Sequence, residues 1–125
     1  MAEVYRAVDT RTGGDVVLKV PHVSIAGDLA AFNRYRREID IAARLDHPGL
    51  QRLLSGPTAP FMVFEYVNGE SLRTYLRKHG QLPIEEVIRI GLQLAEALHY
   101  IHEQGIVHRD LKPENIIMGP DGRLR

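Results

Sequence analysis

The sequence predicts an α+β fold, in which a small antiparallel sheet with one helix precedes a mainly helical second part. Three observations carry that expectation. Two short β-rich runs, residues 3–8 and 16–20, flank a turn-forming segment that contains Gly13 and Gly14. Apolar residues then recur at helical spacing over residues 31–45, 72–79 and 83–104. Finally, the polar stretch His108-Arg109-Asp110-Leu111-Lys112-Pro113-Glu114-Asn115 stands between the apolar pairs Ile106-Val107 and Ile116-Ile117, the pattern of a functional loop hung between buried anchors.

Composition narrows the function classes. A chain of 125 residues with 16 basic and 16 acidic side chains has no net charge to attract nucleic acid, so no nucleic-acid partner is expected. No apolar run approaches the roughly 20 residues needed to cross a bilayer, and Met1-Ala2-Glu3-Val4-Tyr5 has neither the basic start nor the apolar stretch of a secretory signal. A soluble, cytoplasmic chain without a membrane segment is the expectation. The absence of cysteine excludes disulfides and thiol catalysis. There is no internal repeat or low-complexity tract.

The first two runs read as a hairpin. In Val16-Val17-Leu18-Lys19-Val20, the lysine is surrounded by apolar residues on both faces of a strand, where desolvation calls for a carboxylate or phosphate partner. An edge-strand lysine reaching water along its stem would fit the same residues. After the turn-like Ala26-Gly27-Asp28, residues 31–45 form a helix on which Ala31, Tyr35, Ile41, Ala42 and Leu45 fall within about 60° of Glu38 at 100° per residue. Glu38 is therefore expected in the middle of the apolar stripe and in need of a cation. Lys19 is one candidate, and Arg34, four residues earlier on the same stripe, is the local alternative.

Leu45-Asp46-His47-Pro48-Gly49 should end that helix, with a short strand over 50–54 closed by Ser55-Gly56-Pro57. A second apolar strand, Phe61-Met62-Val63-Phe64-Glu65-Tyr66-Val67, runs into Asn68-Gly69-Glu70-Ser71, a turn able to cap a helix from Leu72. That helix ends at Gly80. Pro83 opens the long helix, whose residues Val87, Ile88, Gly91, Leu92, Leu94, Ala95, Leu98 and Ile101 mark it as a core element. Its His99 and His102 read as structural, with no metal site there. After the polar loop, residues 116–118 form a strand, 119–122 a turn, and 123–125 the start of a returning strand.

The loop's spacing has a chemical logic. A carboxylate can take a hydroxyl proton while an amide oxygen five residues on turns toward a metal ion. With its HRD triplet and LKPEN continuation, the chain resembles the eukaryotic-like, bacterial-type Ser/Thr protein kinases. The resemblance implies a kinase-like fold, with a small lobe and hinge over residues 1–67 and the start of the helical lobe over 68–125. It further implies ATP and Mg2+ as cofactors and a protein with a Ser or Thr acceptor as substrate. Asp110 would orient the hydroxyl and accept its proton, Lys112 would neutralise the moving phosphoryl group, and Asn115 would ligate magnesium. VVLK stands where the family has VAIK, making Lys19 and Glu38 the pair that holds the nucleotide phosphates. Val4 and Val17 would line the base pocket, the backbone of Glu65 and Val67 would meet the adenine edge, and Phe64 would close the rear. Val17 replaces the family's usual alanine and should lower the pocket's ceiling.

The resemblance also implies absences. Met1-Ala2-Glu3-Val4-Tyr5 resembles the tail of the glycine-rich loop, with Ala2 at its third glycine, and no Asp-Phe-Gly triplet follows residue 115. Negligible phosphoryl transfer is therefore expected from these residues alone, and open sheet edges invite association. Arg109, which in the family reads a phosphorylated activation segment, is expected to have no such partner here. A non-catalytic, pseudokinase-like binding module is the alternative reading. A small-molecule phosphotransferase ranks last, because that class lacks the LKPEN continuation.

Overall fold

The computed structural model describes residues 2–22, 27–55 and 60–125. The turn readings at Ala26, Gly56 and Pro57 lie outside the described residues. The chain divides into two compact units, one of Met1–Asp46 with Gln51–Tyr66, the other of His47–Leu50 with Val67–Arg125.

In the first unit, strand β1 (Ala2–Val8) pairs antiparallel with β2 (Asp15–Pro21), from Ala2 opposite Pro21 to Val8 opposite Asp15. The turn closes where the Asp9 amide donates to the Gly14 carbonyl at 2.8 Å, and Gly13 supplies the left-handed φ of 74° that it needs. Helix α1 (Leu29–Arg44) starts at Asp28, whose carboxylate accepts from the amides of Ala30 and Ala31. Strand β3 (Met62–Glu65) pairs with β2 on the side away from β1, giving the order β1-β2-β3. Tyr35 and Ile39 of α1 pack on Met62, with Leu53 and Phe64 around them.

Three expectations are corrected here. The buried line of α1 runs through Tyr35 and Ile39, so Glu38 stands at its margin and not at its centre. The expected strand over 50–54 is reduced to an isolated bridge between Leu53 and Phe64. Two backbone bonds flank that bridge, Glu65 amide to Arg52 carbonyl at 2.9 Å and Leu54 amide to Val63 carbonyl at 2.6 Å. Side chains add to them: the Arg52 amide donates to the Glu65 carboxylate at 3.0 Å, and the Gln51 side-chain amide donates to the Glu65 carbonyl. The following strand is also shorter than expected, spanning only Met62–Glu65.

In the second unit, the two-residue strand β4 (Glu70–Ser71) leads into helix α2 (Leu72–His79). Ser71 caps that helix by accepting from the Thr74 amide at 3.1 Å. Gly80, with a φ of 64°, ends it. Helix α3 (Ile84–Glu103) follows Pro83, with Glu85 and Glu86 in its first turn, where carboxylates favour the helix dipole. A 3-10 turn (Pro113–Asn115) then precedes β5 (Ile117–Met118), which pairs antiparallel with β4. The returning segment is present: Ile117 and Arg125 exchange amide-to-carbonyl bonds of 2.8 and 2.9 Å, and Met118 bridges to Leu124. Leu72, Ile90, Ile116, Met118 and Leu124 form the core of this unit.

The long helix departs from its expected role as a one-faced core element. Ile90, Ala97 and Ile101 are buried, with Leu94 packed beside the core, whereas Ile84, Val87, Ile88 and Leu92 are more than half exposed. At 100° per residue these are two stripes, and the sequence pattern had merged them. Among the described residues, no helix is long and apolar enough to cross a membrane.

Candidate functional site

The polar loop of the second unit runs from a helix end to a buried strand, and Val107 at its start is 62% exposed, where the sequence pattern predicts a buried anchor. Upstream, α3 closes with the Ile106 amide donating to the Ile101 carbonyl at 3.0 Å. Downstream, Ile116 and Met118 are each under a tenth exposed. Between them the backbone makes one costly excursion, at Arg109, which has a φ of 64°. A non-glycine residue in this region costs on the order of 1–3 kcal/mol, and the surroundings must over-determine it. Directly after it, the Asp110 amide donates to His108 Nδ1 at 3.2 Å.

Pro113 presets the backbone of the 3-10 turn, and the Asn115 amide donates to the Lys112 carbonyl at 2.9 Å. The Asn115 side chain is thereby aimed back along the loop. Its Nδ2 donates to the Asp110 carbonyl at 2.9 Å and to the Asp110 carboxylate at 3.1 Å. Lys112 Nζ lies 3.4 Å from the other carboxylate oxygen of Asp110. Asp110, Lys112 and Asn115 are thus brought together.

Chemically, the cluster offers an exposed carboxylate able to accept a proton, an ammonium beside it, and the Asn115 Oδ1, which is free because Nδ2 is committed to Asp110. A hard oxygen of this kind suits magnesium, which usually takes only one or two protein oxygens and completes its octahedron with water and phosphate. Asn115 offers one oxygen toward such an ion, and among the described residues no group of three or more His, Asp or Glu side chains could hold a metal ion.

A second contact anchors the turn from outside. Arg73 of α2 pairs with Glu114 at 2.8 Å, and the Leu72 amide donates to the Ile116 carbonyl at 2.8 Å. The Arg73 guanidinium, chiefly through its hydrogen bond, holds the Glu114 carboxyl below the usual glutamate range. On α3, His99 pairs with Glu103 at 3.4 Å on an exposed face.

In the first unit, the strand register sorts the remaining candidates. Val4 lies opposite Lys19, which lies opposite Met62; Arg6 lies opposite Val17, which lies opposite Phe64. Cross-strand partners share a face, so Val4, Val17, Lys19 and Phe64 occupy one side of the sheet. Met62 and Phe64 on that same side pack on α1, which brings Glu38 Oε2 to 3.3 Å from Lys19 Nζ. The pair lines a cavity of about 400 Å3 together with Arg34, Tyr35 and Met62. Arg34 therefore shares the cavity, while the ion pair of Glu38 is with Lys19. Both side chains are partly solvated, unlike the buried pair the sequence had led one to expect.

Glu65 ends β3. Its amide donates to the Arg52 carbonyl at 2.9 Å, and its carbonyl accepts from Gln51 Nε2 at 2.8 Å. Val67, two residues on, belongs to the second unit. Just after β3, the Arg6 guanidinium stands 4.4 Å from the centre of the Tyr66 ring and pairs with Asp15 at 2.8 Å. Sequence reasoning missed Gln51, Arg73 and Arg6. Each makes its contact with a residue distant in the chain, and no local pattern marks such contacts.

Comparison with known proteins agrees with this geometry. Residues 1–125 match the family described as protein kinase domain. A probable serine/threonine-protein kinase of Streptomyces coelicolor is 36% identical over all of this chain, which spans 20% of that protein. The serine/threonine-protein kinase PknB of Mycobacterium leprae is 37% identical, again over the whole chain, which covers 21% of it. The serine/threonine-protein kinase PknA of Mycobacterium tuberculosis is 36% identical over the whole chain, which covers 31% of it.

Proposed function

This chain belongs to the protein kinase domain family, and from that premise we propose that it serves phosphoryl transfer from MgATP to a Ser or Thr hydroxyl of a protein. The observation that carries the reading is the double hydrogen bond from Asn115 to Asp110, with Lys112 beside the same carboxylate. It fixes the carboxylate that orients and deprotonates the acceptor hydroxyl and keeps one amide oxygen free for the metal. Lys112 offsets the negative charge gathering on the transferred group. Magnesium, when bound through Asn115, supplies charge neutralisation at the phosphates.

In the first unit, Lys19, held by Glu38, takes the α- and β-phosphates. Val4 and Val17 cover the base, and the backbone of Glu65 and Val67 meets its edge. Cytoplasmic ATP makes the cytoplasm the site of action. The open side of β1, the outer strand of the sheet order, offers an edge for association.

These 125 residues contain no Asp-Phe-Gly triplet, so the family's other metal-holding aspartate is not among them. Transfer by the 125-residue chain alone is therefore negligible. That same fact favours the second reading, a nucleotide-holding module without catalysis. The test is transfer of labelled γ-phosphate by the chain extended through an Asp-Phe-Gly segment, offered a Ser/Thr protein and an aminoglycoside. Labelling of the protein alone, lost by about 100-fold or more in Asp110→Asn, supports the kinase reading. Labelling of the aminoglycoside alone, or of neither, overturns it.

A further inference from the structure

Two consecutive residues engage the main-chain amide, the main-chain carbonyl and one carboxylate oxygen of Glu65. Arg52 accepts from its main-chain amide at 2.9 Å and donates its own amide to the Glu65 carboxylate at 3.0 Å. The side chain of Gln51 donates to the Glu65 carbonyl at 2.8 Å, in a half-buried setting at the end of β3. An apolar residue at position 51 would leave that carbonyl without this donor. The bond lies within the first unit and needs nothing from outside it.

We infer that Gln51 is a specificity-determining residue for the nucleotide base, because its amide already occupies the carbonyl that would accept from a 6-amino purine. The inference rests on the proposed role of Glu65 as the acceptor at the adenine edge. A carbonyl oxygen has two acceptor positions, so the Gln51 amide weakens an incoming amino group without excluding it. The cost falls on bases that donate at this position. A 6-oxo purine brings an acceptor there and has no bond to lose. Gln51 therefore narrows the preference of the site for ATP over ITP.

The test measures ATP and ITP affinities in the presence of magnesium, by calorimetry, for the unmodified chain, Gln51→Leu, Gln51→Met and Lys19→Met. Leu and Met both remove the donor, and Met preserves the unbranched length of Gln, so one variant remains readable if the other does not fold. One neutral hydrogen bond corresponds to an increase of about fivefold in ATP affinity, with ITP unchanged, and hence to an equal rise in the ratio. If nucleotide binds, the binding needs Lys19, and the ratio stays the same in both position-51 variants, this inference falls while the proposed nucleotide role survives. If the unmodified chain binds neither nucleotide, or binding is indifferent to Lys19→Met, the nucleotide role falls and takes the inference with it.

Discussion

Lys19 Nζ stands 3.3 Å from Glu38 Oε2, although 38% of one side chain and 57% of the other remain open to solvent. An ion pair this exposed contributes only about 0–1 kcal/mol to stability. What it does is fix the place of an ammonium on the face shared by Val4, Val17 and Phe64. The Lys19→Met variant should accordingly melt within a few degrees of the unmodified chain in the absence of ligand. It should lose the upward shift that MgATP produces by linkage. A thermal melt with and without MgATP reads both, and a ligand shift retained in Lys19→Met would refute the assignment.

Val17 lies between Arg6 and Phe64 in the register, at the centre of the same face. Val17→Ala removes two methyl groups from that face, at a cost below about 1 kcal/mol in strand preference. The expected outcome is a severalfold gain in ATP affinity, measured by titration calorimetry. Unchanged or weaker binding would show that Val17 does not limit the base.

Gly69 has no room for a side chain. A Cβ built there would meet the Met118 carbonyl oxygen at 2.0 Å, a collision with backbone rather than with a flexible side-chain tip. Gly69→Ala should destabilise the second unit by about 3 kcal/mol, because β4 and β5 must part to accept it. Urea unfolding followed by tyrosine fluorescence tests this, with a loss under about 1 kcal/mol counting against it.

The Arg73–Glu114 pair predicts a pH dependence for the 3-10 turn at Pro113–Asn115. Because pairing lowers the Glu114 pKa in the folded state, its contribution is fully present above the ordinary glutamate value of about 4.3 and is lost as pH falls through the lowered folded value. The carboxyl carbon resonance of Glu114 should titrate below the ordinary glutamate range in the unmodified chain and move back toward it in Arg73→Met. Identical titrations in the two proteins would rule out the pairing in solution.

Local chemistry made much of this protein readable from its residues in order. The hairpin turn at Gly13, the Ser71 cap, the stop at Gly80 and the loop that ends at Asn115 each depend on neighbours within a few positions. The Lys19 and Glu38 pairing was also legible, because each residue raised a need that the other could meet. The tertiary structure alone decided the rest. Gln51 reaches Glu65 across 14 residues, and Arg73 reaches Glu114 across 41. The left-handed backbone of Arg109 has no sequence signal at all. Periodicity likewise says which positions of α3 are apolar but not which will find a partner, so Ile90 and Ile101 are buried while Ile88 and Leu92 remain exposed. The physical reason is the same in each case: a residue's sequence neighbours set its backbone preference, whereas its burial and its distant partners depend on the path of the whole chain.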